Sequence, residues 1–572
     1  MTSAALPVPP AELGRPEGRA AARTLFLSAA AIVAGALIRL EHLAGGRSLH
    51  IDEARLALNI GQRSFSGLLE PLAYEQTAPI PFLWAEKAAS LVGGVNEVAL
   101  RFVPFLLGCG LLLAMYQLAR RVLPDAGVVL AMALAAVSPV LVHYSNEIKP
   151  YIGDALFGAW LTVLAIDLVR APGRREWTRL LLVGTVAVAV SAPAIFVLLG
   201  LGLVAGAAGR RSPGMTRRLA VGLSAWLAIF AVLYVAFYRE MASHPYMRQF
   251  WEPAFLTSDA GPLLPRAWGM LSELVWGTFM GGYVHGVRAR EIVIVIGAAT
   301  AVFGVVMISG VLYLVRSRGQ VVTALLLAPA AVTVAASIAG AYPISLRLVL
   351  YLVPPILVLV VAGVLLAMNR IPEARRTSVL LLVGALLALR PAIRSVIPRF
   401  WPYHPQELRP LVAWMNDVAS TEPVYVFANA VPAWLFYTTD WTEPDTARLN
   451  WYETVASAGG PAFENAAPRG REVVGEGEGL VYQRGERREL IGVSTGEQWR
   501  VVVGSEYGRP DPGWEANEAR RIVQMADPGI WLIFSHFRGS ENGLLERLEN
   551  AGLRQADARV TIGAHVFRYA KE

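Results

Sequence analysis

The chain has 572 residues, 55% of them hydrophobic and 17% charged, with a mean hydropathy of +0.46. Soluble globular chains carry about a quarter charged residues, so these values exclude an ordinary soluble enzyme as well as the collagen-like, disordered and disulfide-rich classes. The net charge of +7 is uneven: residues 405–572 hold 17 Lys and Arg against 24 Asp and Glu, which leaves 34 against 20 in residues 1–404. The basic excess therefore belongs to the apolar part, where loop arginines record membrane orientation; no nucleic-acid partner is expected. The one cysteine, Cys109, permits no intramolecular disulfide.

In chain order, residues 1–23 read as a cytoplasmic tail, disordered over about the first twenty, and the apolar run after them lacks the cleavage site of a signal peptide. Crossing about 30 Å of hydrocarbon takes roughly 20 apolar residues. Such runs recur at 24–43, 98–119, 126–142, 152–169, 219–238, 291–315, 321–341, 346–368 and 377–397. The stretch 180–208 is too long for one span and is interrupted at Ser191-Ala192-Pro193, where proline removes a helix hydrogen bond; it reads as two short helices in a hairpin. About eleven spans follow, in a transmembrane domain over 24–404. Arginines cluster in alternate loops, which marks those loops as cytoplasmic in a plasma (inner) membrane protein. The other side receives 44–97, 143–151, 239–290 and the tail. That tail, 405–572, reads as an extracytoplasmic soluble α/β domain: β-runs at Val424–Phe427, Arg500–Val503 and Ile530–Phe534, a helix at Gly543–Gly552, closing strands near 556–562 and 564–569, and a loop over 455–480.

Ionisable residues beside spans are costly and are candidates for function. In the first outer loop, Asp52, Arg55 and Asn59 fall at i, i+3 and i+7, one face of a helix, so that a base and an anion binder lie one turn apart; a surface ion pair on a solvated helix is the competing reading. The second outer loop packs His143, Tyr144, Glu147, Lys149, Tyr151 and Asp154 into twelve positions. Lysine occurs only at 87, 149 and 571, so Lys149 stands out as a point charge of shiftable pKa. Arg347 lies at the outer end of a span, against the positive-inside trend, and calls for a phosphate or carboxylate partner. His42, His50 and His143 share this side with Asp52 and Glu147, but no tight ligand spacing supports a metal site, and no cofactor is expected. Neither a phosphate-cradling glycine loop nor a nucleophile elbow is present.

Asp52-Glu53-Ala54-Arg55, Gln76-Thr77-Ala78-Pro79-Ile80-Pro81, Glu97–Pro104, Tyr144–Tyr151 and Tyr342–Arg347 with Pro354, ordered on one membrane side, resemble the GT-C superfamily of integral-membrane glycosyltransferases. Within it the chain resembles the family 39-like group of protein O-mannosyltransferases and bacterial aminoarabinose transferases that modify lipid A. The resemblance implies a polytopic helical fold with interfacial helices in the first outer loop. It also implies inverting transfer of a sugar, in cell-envelope glycosylation, from a polyprenyl-phosphate donor to a lipid, glycan or protein acceptor at the outer face. Asp52 would then be the catalytic base, and Glu53, Arg55, Gln76, Tyr144, Glu147, Lys149, Tyr151, Asp154 and Arg347 would bind substrate. One departure matters: aminoarabinose transferases carry a lysine just before the proline of the second interfacial helix, where this chain has Gln76-Thr77. Lys149, oriented by Glu147, is expected to supply the missing charge. The alternatives are a transporter or flippase of a lipid-linked sugar and a non-catalytic partner of envelope polysaccharide assembly.

Overall fold

The computed structural model describes residues 18–209, 213–257, 261–281, 290–397, 406–418, 422–444, 473–474, 481–484, 488–491, 493–494, 500–504, 513–536 and 540–571. Residues 1–17 of the tail expected at 1–23 and most of the expected loop at 455–480 lie outside these residues, while 18–23, expected in that tail, form the first turns of a helix. The membrane part begins with α1 (Gly18–Ala44), then places α2 (Ile51–Gln62), α3 (Ile80–Gly93) and α4 (Glu97–Leu100) in the loop expected to be the first outer one. The chain continues through α5 (Phe102–Val122), α6 (Asp125–Val137), α7 (Pro139–Tyr144), α8 (Tyr151–Arg170), α9 (Arg174–Val190), α10 (Ala194–Ala208) and α11 (Pro213–Leu233). The third outer segment holds α12 (Arg239–Ser243), α13 (Pro245–Trp251) and α14 (Leu263–Phe279), before α15 (Arg290–Arg318), α16 (Gln320–Ile338), α17 (Val353–Met368) and α18 (Glu373–Val396).

Among the described residues, eight helices are long and apolar enough to cross a membrane, so the chain is a multi-pass membrane protein, and the expected count of eleven is not reached. The shortfall has local causes. The run at 126–142 breaks at Ser138-Pro139, which leaves α6 with 13 residues, and the break expected at Ser191–Pro193 leaves α9 with 17 and α10 with 15. Arg39 of α1 fills the first break: its guanidinium is fully buried and donates to the carbonyls of Gly35, Ala135 and Ala136 and to the Ser145 hydroxyl. Helices α15 and α17 approach through Gly310 and Gly363, where any β-carbon would run into a carbonyl of the facing helix.

Beyond α18 come α19 (Arg409–Asp417), β1 (Val424–Val426), α20 (Val431–Thr438), β2 (Val473–Val474), β3 (Val481–Arg484), β4 (Arg488–Ile491), β5 (Val493–Ser494), β6 (Arg500–Val503), α21 (Trp514–Met525), β7 (Gly529–Ser535), α22 (Ser540–Asn550), β8 (Leu553–Thr561) and β9 (Ala564–Lys571). The main sheet has the order β5-β6-β1-β7-β9-β8. Strand β1 is parallel to β6 and β7, pairing Val424 with Val501 and Trp531, while β8 and β9 add an antiparallel hairpin. A three-stranded sheet, β2-β3-β4, lies apart. One face of the main sheet packs on α21 and α22. The other shares a single apolar core with the first outer loop, where Leu56, Leu58, Ile60 and Phe82 meet Val412, Trp434, Trp531 and Val566. Gly61 makes this contact close: a β-carbon there would strike the Trp441 ring. The catalytic candidate α2 is thereby held between the bundle and the C-terminal sheet.

Candidate active site

Helix α2 starts where its N-terminal donors find acceptors. The His50 Nδ1 atom accepts from the Asp52 backbone N–H at 3.2 Å, and the Glu53 carboxylate accepts from the His50 N–H at 3.1 Å, which together form a capping box. This start sets Asp52 and Glu53 on different faces of the first turn.

Glu53 is fully buried. Arg101 grips it bidentately through Nε and Nη2, both at 2.8 Å; Arg47 donates at 2.8 Å, and the Ile148 backbone N–H at 3.2 Å. Arg101 also donates to the carbonyls of Arg47 and Ser48. Burial pushes the Glu53 carboxyl up, but Arg101 and Arg47 hold it well below the ordinary carboxylate range. One carboxylate thus ties α2 to the start of α5 and to the second outer loop.

Asp52 points to the other side. Its Oδ2 accepts from Arg347 Nη1 at 2.8 Å, across 295 residues of sequence, and the Arg347 guanidinium lies 4.8 Å from the Trp251 ring centroid. Burial raises the Asp52 carboxyl; Arg347, Lys149, His50 and Arg55 together outweigh that and hold it far below its usual value. Lys149 is buried and its ammonium donates to Gln76 Oε1. Burial lowers the Lys149 pKa against the pull of Asp52 and Glu147. The Arg55 Nε is buried with no hydrogen-bond partner, and among the described residues no carboxylate ion-pairs with Arg55 or Lys149. Gln76 follows two consecutive non-glycine residues in the left-handed region, Tyr74 (φ 59°) and Glu75 (φ 57°), backbone strain of the kind found at functional sites.

The remaining candidates form the walls. Glu147 does not orient Lys149 through an ion pair as expected: from the turn after α7 its carboxylate reaches back to His143 at 2.6 Å, and it acts on Lys149 only through its charge. Burial lowers the pKa of both His143 and His50. Tyr144 stacks edge-on against His143 and Tyr151. Asp154, in the first turn of α8, is buried with Oδ1 lacking a hydrogen-bond partner, within electrostatic reach of Tyr238, Tyr342 and Tyr351; no hydrogen bond or ion pair joins it to the Asp52 cluster. His42 binds the Ser395 carbonyl, and among the described residues no group of three or more His, Cys, Asp or Glu is arranged to hold a metal. Sequence reasoning missed Arg47, Trp251, Gln406 and His536. Arg101 was discoverable: an arginine at the outer end of a span opposes the positive-inside trend as Arg347 does.

The chain is similar to ArnT from Cupriavidus metallidurans in the apo state, at 13% identity over 96% of this chain and 98% of that one, with a TM-score of 0.47. The same protein bound to undecaprenyl phosphate matches at 15% identity and a TM-score of 0.42, over 96% and 98% of the two chains. An oligosaccharyltransferase of Archaeoglobus fulgidus, in complex with Zn and sulfate, matches at 13% identity and a TM-score of 0.43; the match covers 71% of this chain and 61% of that one. No curated protein sequence matches the chain. Residues 77–237 match the family model for dolichyl-phosphate-mannose-protein mannosyltransferases.

Proposed function

We propose that the protein is an inverting glycosyltransferase that moves a sugar from a polyprenyl-phosphate donor to an acceptor hydroxyl at the outer face of the membrane. The observation that carries this reading is the charge balance at α2: Arg55, Lys149 and Arg347 all act on the Asp52 carboxylate and Arg347 ion-pairs with it, while Glu147, paired with His143, and Glu75 are further carboxylates within electrostatic reach. In this partly buried cluster Arg55 and Lys149 have no carboxylate ion pair among the described residues, which favours a bound anion, and a lipid phosphate has the right charge. The family match over 77–237 supports the donor class.

In this mechanism the donor phosphate competes with Asp52 for Arg347. Once released, Asp52 accepts the proton of the acceptor hydroxyl while that oxygen bonds to the anomeric carbon and the carbon–phosphate oxygen bond breaks. Arg347, Lys149 and Arg55 hold the charge that develops on the departing polyprenyl phosphate. Tyr144 and Tyr151 wall the site, Asp154 and Tyr342 line the sugar side, and Gln76 holds Lys149. Glu53 acts as a clamp, and the part beyond residue 405 as an accessory domain on the acceptor side. The test is turnover of a synthetic polyprenyl-phosphate sugar by the purified protein, in chelator. Asp52→Asn should abolish transfer with the fold intact. Undiminished turnover by Asp52→Asn would overturn the assignment, and a requirement for added metal would overturn the purely cationic account of the leaving group.

A further inference from the structure

Two donors at the start of α2 are satisfied by groups that lie far away or on the preceding turn. The Asp52 N–H uses His50 Nδ1; the Ile51 N–H uses Gln406 Oε1 at 3.0 Å, a side chain 355 residues further on. Gln406 is almost fully buried, and its other amide atom meets His536 Nδ1. The polarity of this relay is fixed by chemistry. Only the amide oxygen can accept from Ile51, so the amide nitrogen must donate to His536, whose Nδ1 is then a bare acceptor. The His536 ring also stands edge-on to the His50 ring, with centroids 5.4 Å apart and planes at 82°. His536 therefore supports both residues that precede Asp52, one through Gln406 and one through ring contact.

The backbone at this residue is uncommon for a non-glycine residue. His536 follows the last residue of β7 at φ 58°, in the left-handed region where glycine is comfortable and asparagine tolerated. A position that needed only the turn would be served by glycine.

We propose that His536 is a positioning residue for the transfer reaction: from the C-terminal sheet it fixes the entry of α2 and thereby the placement of the Asp52 carboxylate. The inference rests on the reading of Asp52 as the base. An offset of about 1 Å in a reacting group can cost a hundredfold in rate. Because the relay from His536 ends at the Ile51 N–H and the His50 ring, its loss should act on the placement of Asp52, and so on the rate more than on donor binding.

Three variants of the full-length protein separate the roles. His536→Gly relieves the left-handed backbone and removes ring and acceptor; it should keep the melting temperature, lower kcat about tenfold and leave KM for the polyprenyl-phosphate donor within twofold. Hydrogen exchange at the Ile51–Ala54 amides should speed up in this variant. His536→Asn keeps an acceptor and suits the same backbone; it should recover most of the kcat. Asp52→Asn serves as the control. Wild-type kcat in His536→Gly, or His536→Asn no better than His536→Gly, overturns the positioning role while Asp52→Asn stays inactive. Active Asp52→Asn overturns the reading of the base itself.

Discussion

Two adjacent carboxylates on α2 have opposite surroundings. Glu53 is saturated, with five donors from Arg101, Arg47, His50 and Ile148 and no exposed side-chain surface. Asp52 keeps about a quarter of its side chain exposed and forms one ion pair, amid more cations than it can neutralise. A saturated buried charge has nothing left to offer a substrate and serves to fix the fold; an unsaturated one in a field of the opposite sign is prepared to change partners. The difference between the clamping acid and the proposed base thus lies in the balance of donors and in exposure, not in residue type.

The largest effects should fall on the saturated side. Glu53→Gln leaves Arg101 and Arg47 with an uncompensated buried charge and should cost about 3–5 kcal/mol of stability, read as a large drop in melting temperature in detergent. An unchanged melting temperature would break the comparison. Asp52→Asn should do the reverse: turnover falls by about 10²–10⁴, with a melting temperature close to wild type.

Much of this was legible in the sequence, and the boundary of legibility follows contact range. Hydropathy marks spans because each span meets the same solvent independently, and Pro193 breaks its run through its own ring. The strands at Val424, Arg500 and Ile530 are short apolar runs between turns, and the structure places β1, β6 and β7 there. The roles within the site were less accessible. Asp52 and Glu53 are interchangeable in a pattern of charges, and only Arg101 at one side and Arg347 at the other separate them. His536 reaches α2 through Gln406, and no local periodicity signals a contact of that separation.

Arg347 sharpens the comparison next, since the Asp52 charge depends on it. Arg347→Gln should slow transfer by about 10²-fold, the scale of one lost donor to a developing anion. The pH profile gives the sign. In the wild type the cations hold the Asp52 carboxyl far below its usual value, so the acid limb of kcat/KM owed to this group lies well below neutral pH. Removing Arg347 leaves burial less opposed, raises the carboxyl pKa, and moves that limb towards higher pH. A profile that stays fixed would mean that Asp52 is not the group being titrated.

The smallest effect concerns Lys149, proposed above as a cation for the donor phosphate. Lys149→Met should weaken donor binding and slow transfer by at least tenfold, about 1.4 kcal/mol. The ammonium is buried, and burial lowers its pKa against the attraction of Asp52 and Glu147. Its proton is therefore lost at lower pH than that of an exposed lysine, and wild-type activity should decline on the alkaline side as it leaves. Lys149→Arg places a planar fork where a point charge donates to Gln76, so its rate at neutral pH should be partial. Arginine stays charged throughout the range, however, so the alkaline limb should move up or vanish in this variant. An alkaline limb unchanged in Lys149→Arg, together with an unaffected Lys149→Met, would remove Lys149 from the phosphate site and leave Arg55 and Arg347 to hold it.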